Sequence, residues 1–406
     1  MTKNRNAAIG FIFITLLIDI TGLGLIIPAV PKLIMEMEQV GISEASKYGG
    51  WLTFAYSITQ FLFAPVIGNL SDRYGRRPVL LLSLFGFGLD YILLSIAPNL
   101  FWLFVGRILA GVTGASFTTA TAYIADISAP EKRAQSFGMI GAAFGLGFII
   151  GPSLGGFLSE YGPRVPFYAA ASLCFINWLY GYFILPESLP KNLRRKFEWK
   201  RANPLGSFRH LTKHASISGL IISFLLIYVS AHAVQSAWTY YTMEKFNWTP
   251  LDVGISLGFF GLMIAIVQGG LIRIIIPKIG QEKSIYIGLA MYSMGFLLYA
   301  FAAKGWMMYV FSIVYSMGGI AGPALQGFIS TKVPADEQGE LQGGLTSLMS
   351  ASAIVGPIIM TNIFSYFTGE HTPYYFPGAA FILAFLLTST SSFLAFKSFK
   401  RNQLLQ

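Results

Sequence analysis

Three ionisable residues lie well inside apolar stretches of the chain: Asp19, Asp90 and Arg107. A charged side chain at the centre of a membrane-spanning helix costs about 2.5–3.5 kcal/mol on the insertion scale. These residues therefore need partners or a water-filled cavity. A carboxyl group in apolar surroundings can bind and release a proton, and a nearby arginine changes how tightly it does so. The three residues point to proton chemistry inside a membrane.

The spacing of the three charges places them at similar depths. Asp90 comes eight residues before Pro98 and Arg107 nine residues after it, so on antiparallel helices both lie about 12–14 Å below one membrane surface. Asp19 is at a comparable depth in the first apolar stretch. We assign the protonation site to Asp19, its cationic partner to Arg107, and a second carboxylate or structural counter-ion to Asp90. The alternative is a static salt bridge that holds the helices together.

A short polar segment, GNLSDRYGRRP at residues 68–78, separates two of the apolar stretches. Its arginines mark the cytoplasmic side, because short loops rich in Lys and Arg stay inside. Gly68 would allow close helix approach and Gly75 a tight turn, while Asp72 fits best against a helix N-terminus or an arginine. By residue type alone, the segment marks the cytoplasmic surface between two spans.

The composition is typical of a helical protein that crosses the membrane many times. Of the 406 residues, 54% are hydrophobic and 11% are charged, and the hydrophobic residues come in blocks of about twenty. Twelve spans fit the sequence, roughly at 7–31, 48–70, 78–97, 99–124, 135–159, 165–185, 215–240, 250–274, 284–303, 305–330, 340–366 and 377–397. The net charge of +10 is explained by loop Lys and Arg, which place both termini in the cytoplasm.

The chain divides into two related halves. A shift of 205 residues without gaps superposes four pairs of small or cyclic residues: Gly75 on Gly280, Gly138 on Gly343, Gly151 on Gly356 and Pro152 on Pro357. The longest polar segment falls between the sixth and seventh spans. We therefore predict a six-helix bundle at 1–186, a basic cytoplasmic linker at 187–214 and a second six-helix bundle at 215–406.

The fifth span contains the sequence GLGFIIGPSLGG, residues 145–156. Gly147, Gly151 and Gly155 recur every four residues, which gives a stripe of small residues suited to close helix packing. Pro152 is expected to kink this helix. We include Gly147, Gly151 and Pro152 among the residues that act in gating.

These segments resemble known signatures. GNLSDRYGRRP resembles the loop between helices two and three of the major facilitator superfamily, which helps to latch the inward-closed state. This resemblance implies a gating role for Gly68, Asp72, Arg73, Gly75, Arg76 and Arg77; the alternative is a solvated topology signal without a gating role. GLGFIIGPSLGG is similar to the fifth-span marker of the drug:proton antiporters in that superfamily. Nearly the whole chain resembles the tetracycline-resistance efflux proteins, for example at LLIDITGLGLIIPAVP from Leu16 and GRILAGVTGAS from Gly106. The resemblance implies an all-α integral membrane protein with twelve helices in two six-helix pseudo-repeats. It implies roles in transport, coupling or gating for Asp19, Gln60, Asp72, Arg76, Asp90, Arg107 and Asp126.

The second half departs from the tetracycline-resistance proteins at two positions. Where that family has an aspartate in span nine and a histidine in span eight, this chain has Tyr292 and Ile264. We predict that Tyr292 contacts the substrate together with Gln60 and Gln268, whose amides lie in spans two and eight. The resemblance therefore supports a shared mechanism more strongly than it supports a metal–tetracycline chelate as the substrate.

We predict a proton-coupled secondary exporter of a small amphipathic compound, tetracycline-like or other, that works by alternating access. Proton-coupled uptake of a metabolite, or a transporter-like receptor or lipid-handling protein, stay open as alternatives. The chain has no GxxxxGK[ST] loop and no nucleophile–base pair, so an ATPase or another enzyme is not expected. No metal or other cofactor is predicted, and Cys174 is the single cysteine. The expected partners are substrate, protons and membrane lipids, without nucleic acid, for a monomer in the bacterial inner membrane.

Overall fold

The computed structural model describes residues 2–114, 116–128, 133–199, 217–334 and 337–404. Regular structure in these ranges is helical, as predicted. The helices of the first half are α1 (Thr2–Ile26), α2 (Val30–Glu38), α3 (Ile42–Tyr74), α4 (Arg76–Ile96), α5 (Leu100–Thr113), α6 (Ser116–Ile127), α7 (Arg133–Ser159) and α8 (Val165–Ile184). Those of the second half are α9 (Ser218–Phe246), α10 (Pro250–Ile266), α11 (Ile272–Ile279), α12 (Gln281–Phe301), α13 (Gly305–Met317), α14 (Ala321–Thr331), α15 (Gln338–Thr368) and α16 (Ala379–Leu404).

The number of membrane spans agrees with the sequence prediction. Among the described residues, 11 helices are long and apolar enough to cross a membrane, or up to 12 if the pair formed by α1 and α2, bent by 43°, counts as one span. The bend falls at Pro28, which lies between the two helices. The protein is therefore a multi-pass membrane protein.

Several spans are interrupted inside the membrane. The fourth span breaks at Gly114, between α5 and α6, and the tenth breaks at a 3-10 turn, Gly318–Ile320, between α13 and α14. Gly114 and Gly319 superpose under the shift of 205 residues, so both halves break at the same point. The second span contains Pro65 inside α3, and the eighth contains a π turn, Val267–Leu271, between α10 and α11. Such interruptions leave backbone carbonyls available to side chains or ligands.

The described chain forms two compact units. The first unit comprises Met1–Val40, Ala55–Pro204 and Thr249–Gly258, and the second comprises Gly41–Phe54, Leu205–Trp248 and Phe259–Gln406. The first unit has a core cluster that includes Phe11, Leu80 and Tyr123. The second has one that includes Phe224 and Leu345. The predicted division into residues 1–186, 187–214 and 215–406 stays a prediction, and residues 200–214 of that linker lie outside the described ranges.

Local hydrogen bonds fix where helices begin. The Asn99 side chain accepts a bond from the backbone N–H of Trp102 at the start of α5. At the start of α10, Asp252 accepts from the backbone N–H of Thr249, and the Thr249 hydroxyl accepts from the N–H of Asp252. These reciprocal bonds satisfy N–H groups that have no partner within the helix. These caps define the residues at which α5 and α10 begin.

Candidate functional site

Asp90 on α4 and Arg107 on α5 form an ion pair inside the first unit. The Asp90 side chain is fully buried and the Arg107 side chain is 11% exposed. Two atoms of the pair, Asp90 Oδ1 and Arg107 Nε, are buried without a hydrogen-bond partner in the described part of the chain. Burial has therefore removed hydrogen bonds to water that the ion pair itself does not fully replace. Such a pair is a good candidate for a group that changes partner or takes up a proton.

Asp19 lies on α1 and is 7% exposed. The Tyr56 hydroxyl is close enough to interact electrostatically with Asp19, Asp90 and Arg107. The structure therefore groups the three predicted residues around one tyrosine. The sequence assigns Arg107 to Asp19, whereas the observed ion pair is with Asp90. Their roles in proton coupling stay predictions.

Two aromatic rings flank the arginine. The guanidinium carbon of Arg107 lies 6.0 Å from the ring centres of both Tyr56, on α3, and Tyr91, on α4. An arginine at this distance from an aromatic face is weakly attracted by the ring. The two tyrosines therefore supply part of the stabilisation that water would otherwise give the cation.

Gln60 connects this group of charges to the break in the fourth span. Its Nε2 donates hydrogen bonds to the Tyr56 hydroxyl (3.0 Å) and to the carbonyl oxygen of Gly114 (3.1 Å). A carbonyl at a helix end has no partner within its own helix, so Gln60 caps the break. Both bonds come from the amide nitrogen, which leaves the side-chain oxygen of Gln60 as an acceptor for other donors.

The glycine stripe of α7 packs against α1. A methyl group built on Gly151 would lie 2.7 Å from the carbonyl oxygen of Thr21 and 2.8 Å from Cα of Gly24. A methyl group on Gly147 would lie 2.7 Å from the side chain of Ile20. The predicted close packing of this stripe is confirmed, and its partner is the helix that carries Asp19. Pro152 lies inside α7, which continues through it.

Two of the predicted substrate residues, Gln268 and Tyr292, lie in the second unit, beside the break of the tenth span. Gln268 lies exposed on the π turn. A methyl group on Gly319 would be 3.5 Å from Gln268 Nε2 and 3.7 Å from Ile264 Cδ1, and one on Gly318 would meet the Tyr292 ring. This arrangement resembles that in the first unit, where Gln60 lies against Gly114. In both units a glutamine therefore lies beside a broken helix.

Arg76 is the centre of the polar network around the loop at residues 68–78. Its guanidinium contacts Asp72 at 2.5 Å and Asp126 at 3.1 Å, and it donates to the Ser71 hydroxyl at 2.6 Å. The side chain of Arg76 is 10% exposed, so these contacts replace most of its water. Of the two partners predicted for Asp72, a helix N-terminus or an arginine, the structure shows the arginine. The resemblance also singled out Asp126, which here contacts that same arginine.

The other predicted loop residues have separate surroundings. The Arg73 guanidinium lies 5.0 Å from the ring of Tyr74, and Arg77 donates a 2.7 Å hydrogen bond to the backbone carbonyl of Tyr182. The prediction of close helix approach at Gly68 is wrong, since a methyl group there would meet no heavy atom of the described residues within 4 Å. In this part of the chain Gly68 faces open space instead of a neighbouring helix. Its role in gating stays a prediction.

Glu187, just after α8, is a member of this network that the sequence reasoning did not select. Its carboxylate accepts from the backbone N–H groups of Arg76 (2.9 Å) and Arg77 (3.3 Å). It therefore caps the N-terminus of α4, where negative charge is favourable. Its other side approaches Arg194 at 3.7 Å. The only sequence signal was the Pro-Glu-Ser that ends the sixth span.

The start of the linker is fixed to the same loop. The backbone N–H of Arg195 donates to the carbonyl of Asp72 (3.1 Å), and the Asn69 amide donates to the carbonyl of Glu198 (2.7 Å). Together with the Glu187 contacts, these bonds bind residues 187–198 to the C-terminal end of α3 and the start of α4. The described part of the linker is thus an ordered segment of the first unit.

Gly75→Ala is expected to destabilise the protein more than Gly280→Ala. Both glycines have positive φ, +106° and +82°, with ψ of 160° and 166°, a region essentially confined to glycine, so alanine costs about 1–3 kcal/mol of backbone strain at either position. At Gly75 the new methyl group would also meet the Glu187 carboxylate, whereas at Gly280 it would meet no heavy atom within 4 Å. Thermal unfolding in detergent measures the difference. Equal losses of stability would mean that Glu187 is not held tightly at this turn.

A separate cavity of about 910 Å³ lies in the second unit. The carboxylate, lysine and histidine side chains that line it are Glu44, Lys47, Glu244, Glu370 and His371. The Tyr375 hydroxyl donates to Glu244 at 2.5 Å, and burial, followed by this hydrogen bond, raises the pKa of Tyr375 to about 12. The excess of carboxylates favours cations over anions in this cavity. Among the described residues, no group of three or more His, Cys, Asp or Glu could hold a metal ion.

Comparisons with known proteins agree with this architecture. Residues 12–339 and 274–396 match the family model of the Major Facilitator Superfamily. The class C tetracycline resistance protein of Escherichia coli is 40% identical over 89% of this chain and 91% of its own length. The class E protein of the same organism is 37% identical over 89% of this chain and 88% of its own length.

A solved structure, the human organic anion transporter TETRAN, shares the fold. It superposes with a TM-score of 0.70 at 22% identity, covering 96% of this chain and 99% of that one. At this identity the likeness concerns architecture alone. Fold, sequence and family model lead to one conclusion: the chain belongs to the major facilitator superfamily of membrane transporters and is related to the tetracycline resistance proteins.

Proposed function

We propose that the protein exports a small amphipathic compound in exchange for protons by alternating access. The observation that supports this most strongly is the buried Asp90–Arg107 pair with Asp19 close to the same tyrosine. Charges so costly inside a membrane are retained where they have a function. A carboxylate that binds a proton loses its attraction for Arg107, so proton binding can change which groups the arginine contacts.

The Arg76 network serves as the cytoplasmic gate in this proposal. It ties the end of α3 to the end of the fourth span through Asp126 and to the residues after α8 through Glu187. Three separate chain segments must therefore move together at this end of the first unit. The glycine stripe of α7 allows α1 to lie close enough to follow such a movement.

The substrate is expected to be recognised by aromatic rings and amides in the second unit. Tyr292 and Ile264 stand where the tetracycline-resistance family has an aspartate and a histidine, and Tyr292 packs on Tyr315 with ring centres 4.8 Å apart. A flat, amphipathic molecule suits such a surface better than a metal chelate does. Tetracycline itself is the first compound to test, because the relatives are tetracycline resistance proteins.

The proposal includes location and organisation. The protein is placed in the bacterial inner membrane as a monomer, with both termini in the cytoplasm. The chain is divided into bundles at 1–186 and 215–406, joined by the basic linker. The excess of Lys and Arg in the loops assigned to the cytoplasm supports this orientation.

Asp19→Asn is expected to abolish transport driven by a pH gradient while the protein still folds. The amide keeps the size of the side chain but cannot bind and release the proton. The test uses purified protein in liposomes with an imposed outward gradient of tetracycline, ethidium or chloramphenicol, and measures substrate-driven proton movement. Glu160→Gln, at an exposed carboxylate after α7, is the matched control and should behave as wild type.

Two outcomes would count against this reading. Unchanged proton movement in Asp19→Asn would remove Asp19 from the coupling mechanism. Absence of coupling with every compound in folded wild-type protein would favour the uptake or receptor alternatives instead.

A further inference from the structure

Tyr56 lies between the charged group of the first unit and the glutamine at the helix break. Its ring is 6.0 Å from the Arg107 guanidinium, and its hydroxyl accepts a 3.0 Å hydrogen bond from Gln60. The same Gln60 nitrogen donates to the Gly114 carbonyl. One tyrosine thus connects the residues predicted to carry the proton with a residue predicted to contact the substrate.

The hydroxyl of Tyr56 is sensitive to charge because several titratable groups surround it. Asp19 on α1, Asp90 on α4 and Arg107 on α5 interact with it electrostatically. Tyr91 on α4 faces the same arginine, and Cys174 on α8 lies within electrostatic range of both carboxylates. When both carboxylates are charged, the negative charge near the hydroxyl favours an approaching amide N–H. When one of the carboxylates is protonated, less negative charge offsets the positive charge of Arg107, and the net positive charge disfavours the approach of the amide N–H to the hydroxyl.

We propose that Tyr56 is a positioning residue that transmits the proton state of the Asp19, Asp90 and Arg107 group to Gln60. This inference rests on the proposed function. With the carboxylates charged, Tyr56 holds the Gln60 amide in one orientation, with its oxygen available to a ligand. An orientation fixed in advance strengthens binding, because less side-chain entropy is lost when the ligand arrives. Protonation loosens the bond, so Gln60 no longer holds the ligand well. Proton binding and substrate release are then coupled through a single hydrogen bond.

The test is the pH dependence of tetracycline transport by Tyr56→Phe in liposomes. The variant keeps the ring beside Arg107 and removes only the hydroxyl. One neutral hydrogen bond contributes about 0.5–1.5 kcal/mol, so we expect KM to rise up to about tenfold at high pH and to change little at low pH. The pH profile of KM therefore flattens, while the maximal rate at saturating tetracycline changes less. A purely structural role would alter stability and rate without flattening the profile.

Matched variants identify the route of coupling. Tyr91→Phe removes a hydroxyl from a ring at the same 6.0 Å distance from Arg107, and it is expected to keep the wild-type steepness of the profile. Gln60→Leu should flatten the profile as Tyr56→Phe does. Combining Tyr56→Phe with Gln60→Leu should add nothing further, because both remove the same bond.

The outcomes separate this inference from the proposed function. Proton-coupled wild-type transport together with equal pH profiles for Tyr56→Phe and Tyr91→Phe would overturn the role of Tyr56 and leave the exporter intact. Additive effects in the double variant would also overturn it. Wild-type tetracycline transport that moves no protons would instead contradict both. If Tyr56→Phe does not fold, the Gln60→Leu profile alone decides, since a steep profile there excludes the bond as the link.

Discussion

Arg107→Gln is expected to stop proton-coupled transport and to lower the free energy of unfolding by about 3–5 kcal/mol, because it leaves the buried Asp90 without its cation. The pair is fully buried on the aspartate side, so water cannot replace the lost contact. Thermal or denaturant unfolding in detergent measures the stability, and proton movement in liposomes measures the transport.

The double variant Asp90→Asn with Arg107→Gln distinguishes a coupling role from a static salt bridge. Two neutral amides of similar size can hydrogen-bond to each other, so most of the lost stability should return. Transport should not return, because neither side chain then carries charge. Recovery of both properties would support the alternative in which the pair only holds α4 and α5 together.

Gly151→Ala is expected to cost about 1–3 kcal/mol of stability and to reduce transport strongly, because the interface between α7 and α1 has no room for a methyl group. The nearest atoms, the Thr21 carbonyl oxygen at 2.7 Å and Gly24 Cα at 2.8 Å, belong to the backbone. They cannot rotate away as a flexible side chain would, so the helices must separate.

Gly145→Ala is the matched control on the same helix. A methyl group at Gly145 would meet no heavy atom within 4 Å, and alanine is a better helix former than glycine. This variant should be neutral or slightly stabilising. If the two substitutions lower the unfolding temperature equally, the close contact at Gly151 is not the cause of the loss, and the proposed role of the stripe is wrong.

Much of the architecture follows from local sequence. Apolar blocks predict the spans because a helix must be long enough to cross the bilayer, and the described helix ends lie within a few residues of most predicted ends. Gly75 was assigned to a turn, and it has positive φ. The type of partner was predicted for Asp72, because a carboxylate at a helix end is well placed against an arginine; Arg76 itself lies across the Gly75 turn, at the start of the next helix.

Pairings between distant segments were harder to predict. Asp19 and Asp90 lie at similar depths, so depth does not decide which of them pairs with Arg107. The spacing of residues along a helix does not show which face of that helix contacts its neighbours. Glu187 reaches Arg76 from more than a hundred positions away, and the loop sequence gives no sign of it. Tyr56 was not selected because one tyrosine in an apolar span has no distinctive pattern around it.

The interruptions of the second and eighth spans have a mechanical consequence. Pro65 and Gly270, which superpose under the shift of 205 residues, lie inside α3 and in the π turn between α10 and α11. Proline removes a backbone hydrogen bond, and a π turn replaces the regular pattern with wider rings. The bending stiffness of each span is therefore lowest near its Pro65 or Gly270. Each behaves as two stiff rods joined at a compliant point, so a load on one end is taken up as bending there before it reaches the other.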